Sequence, residues 1–202
     1  FDEYFQLGRS LTKGIDNAVD QFFEMLINSG EADYIGENVT QLEHMCQAAE
    51  YGEEQGNDPE VILGALFHDI GHFCAENGEE HDMDGLGHIA HDKVGADYLR
   101  DIGFSEKIAR LVESHVEAKR YLCAAKPGYH AKLSGASAKT LEFQGGPMSE
   151  EEVASFEADP YFKDIIKVRA WDELAKVENK PLPDLERYKK MAKDHLRNKL
   201  EA

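Results

Sequence analysis

Apolar residues recur at spacings of three and four along nearly the whole chain, punctuated by helix start and stop signals, while two-residue alternation is almost absent. This patterning predicts an all-α fold. Asp16 opens a segment that places Val19, Phe22, Phe23, Leu26 and Ile27 on one stripe before Gly30. Thr40 and Glu43 form a capping box for a helix reaching about Gln55, with Gly56 as its stop. Asp58-Pro59 is an N-cap and first-turn signal, and residues 61–67 are apolar all round, so that helix should be the buried centre of a bundle.

Further helices are expected over residues 88–100, ending near Gly103, and from Ser105 through Ile108, Leu111 and Val112 toward Lys119. Pro127-Gly128 and Gly145-Gly146-Pro147 bracket a short helix over residues 137–143. Ser149 and Glu152 form a second capping box, Asp159-Pro160 a second cap with first-turn proline, and Pro181 and Pro183 precede a final helix over residues 185–198. Residues 76–84 are acidic and glycine-containing and read as a mobile loop. The expected organisation is an N-terminal extension and first helix, residues 1–32, packed on a functional unit of residues 33–202.

With 202 residues, 42% of them apolar, the chain can bury a core as one domain. Its 22 Lys and Arg against 40 Asp and Glu give a formal charge of -18. That balance argues against nucleic acid or an anionic membrane as partner, because both are held by a surplus of basic side chains. Cys46, Cys74 and Cys123 form no Cys-x-x-Cys pair, and no run is apolar enough for a membrane span. A cytoplasmic protein whose partner is a small molecule or another protein is expected.

Nine histidines stand in this acidic chain. His68-Asp69 falls at the end of the most apolar helix, where adjacent ionisable groups are costly unless something pairs with them. A core histidine bonded to its neighbour explains one such pair equally well. The pattern gains force from His44 upstream and from His91, His115 and Asp172 on later helices, since a bundle can converge such side chains on divalent metal. With Asp69 shared, two ions fit the spacing of two-metal sites, and mixed nitrogen and oxygen donors suit iron, with zinc, manganese and cobalt left open by donor type.

Seven ordered blocks carry a closer likeness: Asp33-Tyr34-Ile35-Gly36-Glu37, Gln41-Leu42-Glu43-His44, Leu66-Phe67-His68-Asp69-Ile70-Gly71-His72, His91-Asp92-Lys93-Val94-Gly95-Ala96-Asp97-Tyr98-Leu99, His115-Val116-Glu117-Ala118-Lys119-Arg120-Tyr121-Leu122, Lys139-Thr140-Leu141-Glu142-Phe143-Gln144-Gly145-Gly146-Pro147-Met148 and Arg169-Ala170-Trp171-Asp172-Glu173. Together they resemble the mixed-valent diiron HD-domain oxygenases that cleave 1-hydroxy-2-aminoethylphosphonates. The resemblance implies an HD-domain helical bundle holding an Fe(II)/Fe(III) pair, with O2 as co-substrate and a small hydroxyphosphonate as partner.

It further implies that His44, His68, Asp69 and Asp172 hold one iron, while Asp69, His91 and His115 hold the other. Tyr34 would occupy the second iron's open position in the resting enzyme and leave on substrate binding, with Glu37 then closing over the amino end. Lys119, Ser137 and Arg169 match phosphonate-binding positions, and His72 a residue of the substrate cavity. Tyr34, Phe73 and Tyr129 are candidate walls for a quaternary ammonium group. His81, His88, His130 and His195 match no ligand position and read as surface or structural residues. Arg120 reads as a solvated helix end.

The products would be phosphate with glycine, or with glycine betaine if the amine is trimethylated; the acidic 76–84 segment inclines the reading to the trimethylated substrate. Three alternatives stand beside this: a metal-dependent HD phosphohydrolase, a diiron oxygenase of a polyol, and a non-catalytic HD protein.

Overall fold

The computed structural model describes residues 2–34, 37–74, 83 and 89–201, with side chains described between residues 13 and 200. Among the described residues it has eleven α-helices and no strand, as the apolar spacing predicts. In chain order they are α1 (Asp2–Gly30), α2 (Gln41–Glu54), α3 (Pro59–Phe67), the short α4 (Gly71–Cys74), α5 (His91–Ile102), α6 (Glu106–Glu113), α7 (His115–Ala125), α8 (Gly135–Phe143), α9 (Glu150–Glu157), α10 (Phe162–Leu174) and α11 (Leu185–Glu201). A 3-10 turn, His130–Lys132, lies between α7 and α8. His81, His88, Ile35, Gly36 and, apart from Met83, the 76–84 segment lie outside the described residues.

Local chemistry sets most helix starts. The Thr40 hydroxyl accepts the Glu43 N–H and the Glu43 carboxylate accepts the Thr40 N–H, the reciprocal pair of a capping box. Asp58 accepts the N–H groups of Glu60 and Val61 ahead of Pro59. Ser105, Ser134 and Ser149 cap α6, α8 and α9.

Three expected boundaries move. Asp16 opens nothing: α1 runs straight through it, because its carboxylate is engaged by Arg197 of α11 at 2.5 Å rather than by nearby backbone N–H groups. The stretch after Ser105 is two helices, broken at Ser114. Pro160 lies in a turn, and α10 starts at Phe162; Asp159 still accepts the Tyr161 N–H at 2.8 Å, but its other oxygen is drawn to Arg110 at 2.7 Å.

Every residue from Val61 to Phe67 is buried, and α3 packs against α2, α6, α10 and α11. One apolar cluster joins α1, α2, α3, α5, α6 and α11; a second joins α2, α3, α6, α7, α9 and α10. Helix α3 belongs to both. Enclosed on its flanks, it delivers the residues that follow it, His68 and Asp69, into the interior, where both are buried.

Candidate metal centre

His68 and His115 are positioned by the same device. His68 directly follows α3 and His115 opens α7 after the break at Ser114, so each stands beside a helix end, of α3 and α6, whose final carbonyls lack intrahelical partners. The Nδ1–H of His68 donates to Ala65 O at 2.7 Å, and that of His115 to Val112 O at 2.7 Å. The break at Ser114 thus gives His115 a carbonyl to lean on. His44, on α2, donates from Nδ1 to Ala175 O beyond α10, at 2.9 Å. A carbonyl can only accept, so in all three rings the proton is on Nδ1 and Nε2 presents a lone pair.

The Nε2 atoms meet in two pairs, one of two such rings and one that joins His115 to His91. His44 Nε2 and His68 Nε2 are 3.0 Å apart, and His91 Nε2 and His115 Nε2 are 2.9 Å apart. For the first pair, with both Nδ1 atoms already donating, no proton remains to lie between them. A neutral pair at this distance is repulsive unless a cation is present.

Asp69 lies between the two pairs and divides its oxygens. Oδ2 is 3.6 Å from His44 Nε2 and 3.5 Å from His68 Nε2, while Oδ1 is 3.4 Å from His115 Nε2 and 3.8 Å from His91 Nε2. Asp172 closes the first group, with Oδ1 3.3 Å from His44 Nε2. Its Oδ2 accepts from Arg169 Nη1 at 2.5 Å. Donor atoms of His44, His68 and Asp172 lie within 4.8 Å of one another, as do those of Asp69, His72 and His91. All six residues expected as ligands are at most 5% exposed.

The electrostatics favour cations. Burial alone would raise both carboxylates, but positive charge beside them outweighs it: a proton taken up by His68 or His115, which a metal ion would replace, holds Asp69 well below the usual range, and the Arg169 guanidinium does so for Asp172. Burial lowers His68. It would lower His115 too, but the Asp69 carboxylate outweighs it and the net shift is upward. Ionised carboxylates among buried imidazole nitrogens form a donor set that fits two metal ions.

Close backbone contact is needed to bring His91 to Asp69. A Cβ placed on Gly71 would be 1.7 Å from His91 O, and one on Gly95 would be 2.9 Å from Gly71 N. Successive Ile70 N–H to Phe67 O and His72 N–H to Asp69 O bonds make residues 68–70 a tight turn, so His72 does not extend the face of α3. Its ring instead stacks on His91, centroids 4.0 Å apart. That places His72 against the second group, close enough to be a donor as well as a wall.

Around this centre the expected anion-binding residues converge only partly. Lys119 is 4% exposed and donates to Thr140 Oγ1 of α8 at 2.8 Å. No carboxylate among the described residues is within ion-pair distance of it. Burial, reinforced by the Arg169 charge, lowers it to about 7. Arg169 also donates from Nε to Tyr129 Oη at 3.1 Å and Glu173 Oε1 at 3.0 Å. Ser137 is on α8, three residues before Thr140, and its backbone N–H is tied to the Ser134 cap.

Tyr34 stacks on His44, centroids 4.0 Å apart. Burial and the Asp69 and Asp172 charges raise its hydroxyl pKa well above the ordinary value. Glu37 pairs with Lys176 at 2.6 Å. Arg120 is not a solvated end: it donates to Gly146 O and Glu152, fastening α7 to the α8–α9 connection. His195 Nε2 accepts the Ser105 N–H, a structural role, and His130 is exposed.

Sequence reasoning missed Gln47, Thr140 and Lys176. Gln47 follows His44 by three residues on α2, a spacing that could have drawn attention to it. Its side chain accepts the Val177 N–H at 2.9 Å and donates to Val177 O at 3.0 Å, fixing the segment whose Ala175 carbonyl orients His44. Nothing in the local sequence marks Lys176.

Known proteins resemble this chain over much of its length. The HD-domain family model matches residues 42–162. The [1-hydroxy-2-(trimethylamino)ethyl]phosphonate dioxygenase (glycine-betaine-forming) of Leisingera caerulea is 48% identical over 155 residues, 77% of this chain and 78% of that protein. The hydroxymethylphosphonate dioxygenase of Gimesia maris is 38% identical over 179 residues, 89% of this chain and 88% of the relative. An uncharacterized protein of Acanthamoeba polyphaga mimivirus is 42% identical over 167 residues, 83% of this chain and 76% of the relative.

Proposed function

This chain belongs to the HD-domain family, and on that footing we propose that it is an oxygenase cleaving the carbon–phosphorus bond of a 1-hydroxy-2-aminoethylphosphonate or its 2-trimethylammonio analogue. The overall change is R–CH(OH)–PO3H2 plus O2 to R–COOH plus phosphoric acid. Both oxygen atoms are consumed and no external reductant is needed. The products are phosphate with glycine or glycine betaine.

The observation that carries this reading is Asp69 dividing its oxygens between two Nε2 pairs, beside the buried cations Lys119 and Arg169. His44, His68, Asp69 and Asp172 would hold one iron, and Asp69, His91 and His115 the other. When bound, an Fe(II)/Fe(III) pair supplies the redox chemistry with O2 and Lewis acidity toward the substrate's hydroxyl and phosphonate oxygens.

The chain's own residues bind and orient. Lys119 offers an ammonium whose burial cost an incoming phosphonate would offset, and the proton favoured at Nζ by that anion strengthens the pair. Arg169, locked by Asp172, Glu173 and Tyr129, gives a fixed positive charge at the same end. Ser137 would add a hydroxyl donor from α8. His72, stacked on His91, lines the cavity, and Tyr34 and Glu37 stand at the amino end. Anchoring the phosphonate on Lys119, Arg169 and Ser137 would hold the carbon that bears it in one orientation.

The test is incubation of iron-loaded protein with each hydroxyphosphonate in air and under argon, with phosphate and the organic acid measured. Oxygen-dependent release of both in equal amounts is expected. Equal phosphate release under argon would instead identify a phosphohydrolase.

A further inference from the structure

The ammonium of Lys176, two residues past the end of α10, occupies a small cage. Its Nζ is 2.6 Å from Glu37 Oε1, 3.5 Å from the Ser134 hydroxyl that caps α8, and 5.7 Å from the centre of the Tyr34 ring. A carboxylate and an aromatic face around one positive nitrogen is the chemistry by which proteins recognise ammonium and quaternary ammonium groups. Lys176 is also held there by its backbone surroundings. The preceding Ala175 carbonyl takes the His44 Nδ1–H, and the following Val177 is bonded through both backbone groups to Gln47.

Tyr34 and Glu37 are the residues read above as the amino end of the cavity. Resting on that reading, we infer that Lys176 is an internal competitor for the substrate's cationic tail, and that a cationic substrate must displace its ammonium from the Tyr34–Glu37 cage. A tethered cation is present at an effective concentration of about millimolar or more, so free cations of weak affinity are excluded. A ligand anchored at its other end through phosphonate is itself tethered and can win the exchange. Lys176 therefore sets specificity: it makes the cage selective for cations that carry an anionic group at the right distance, and it imposes a displacement cost that a substrate without a tail does not meet.

The test uses the full metal-loaded chain. Tetramethylammonium binding is measured by calorimetry on wild type, Lys176→Met, Lys176→Arg and the double variant Lys176→Met with Glu37→Gln. Removing the competitor should tighten binding about tenfold, or roughly 1.4 kcal/mol. The arginine variant should resemble wild type, and the double variant should lose the gain. In parallel, the kcat/KM of the trimethylammonio substrate relative to hydroxymethylphosphonate should rise about tenfold in Lys176→Met, mostly through KM, and return in Lys176→Arg.

Unchanged tetramethylammonium affinity in a variant with wild-type melting behaviour would overturn the inference, as would an equal loss on both substrates. Lys176→Gln serves if the methionine variant does not fold. If calorimetry shows the gain while wild type turns over neither phosphonate, the cage stands and the proposed function fails. Turnover without the gain sinks only the role of Lys176.

Discussion

On the proposed reading both halves of the centre depend on Asp69, and the consequence can be read as heat stability. A metal that binds the folded chain stabilises it by about 2.7 kcal/mol per site at a free concentration of 100 Kd. For a domain of this size 1 kcal/mol raises the melting temperature by roughly 2–4 °C, so each filled site should contribute about 5–11 °C and two sites about twice that. Each variant is compared with itself, melted in chelator and in excess ferrous salt under argon, so changes in metal-free stability cancel. His115→Gln, which removes one donor of the second group, should leave about half of the wild-type shift and about half of the bound iron. Asp69→Asn should abolish nearly all of both, because its two oxygens face different histidine pairs. An Asp69→Asn protein that kept half of the shift would refute the bridging argument, and a wild-type protein indifferent to metal would refute the centre itself.

Three further perturbations test the surroundings. Lys119 is held at about 7 in the folded chain against an ordinary 10.5, so the folded state binds fewer protons than the unfolded state between those values. Stability of the metal-free protein should therefore rise with pH across that window, by about 3 kcal/mol between pH 7 and 9.5. Denaturant titrations of Lys119→Met should lack that rise relative to wild type; parallel curves would show that the lysine is not buried as described. Gly71→Ala puts a methyl group into the His91 carbonyl and must separate α4 from α5, so the iron proposed for the second group should be lost, with a destabilisation of about 1–3 kcal/mol from overpacking. Gln47→Leu leaves the Val177 N–H and carbonyl unpaired and frees the segment that orients His44; metal affinity should drop about 10–100-fold, and titration with a competing chelator that found no change would remove Gln47 from the centre.

Much of this molecule is written locally. Capping boxes at Thr40 and Ser149, Asp58-Pro59 and the continuous apolar run of α3 are short-range signals, decided by backbone groups within one turn of the residue concerned, and the structure follows them. The same holds for the gathering of the ligand types: His68-Asp69 is expensive to bury, and its position directly after α3 leaves it nowhere else to go. Asp16 shows the limit of such reading, since whether its carboxylate caps a helix or pairs across one depends on Arg197, distant in the chain.

What the sequence alone determined was an all-α bundle with histidine and aspartate side chains directed into its interior. Only the tertiary structure decided how they are shared: which oxygen of Asp69 faces which pair, that Ser114 breaks a helix so that His115 can bond Val112, and that Lys176 fills the Tyr34–Glu37 cage. Those outcomes depend on distances of a few tenths of an ångström between residues far apart in the chain, set by how α2, α3, α5, α6 and α10 pack together. No spacing along one helix encodes them, because each is a property of surfaces meeting.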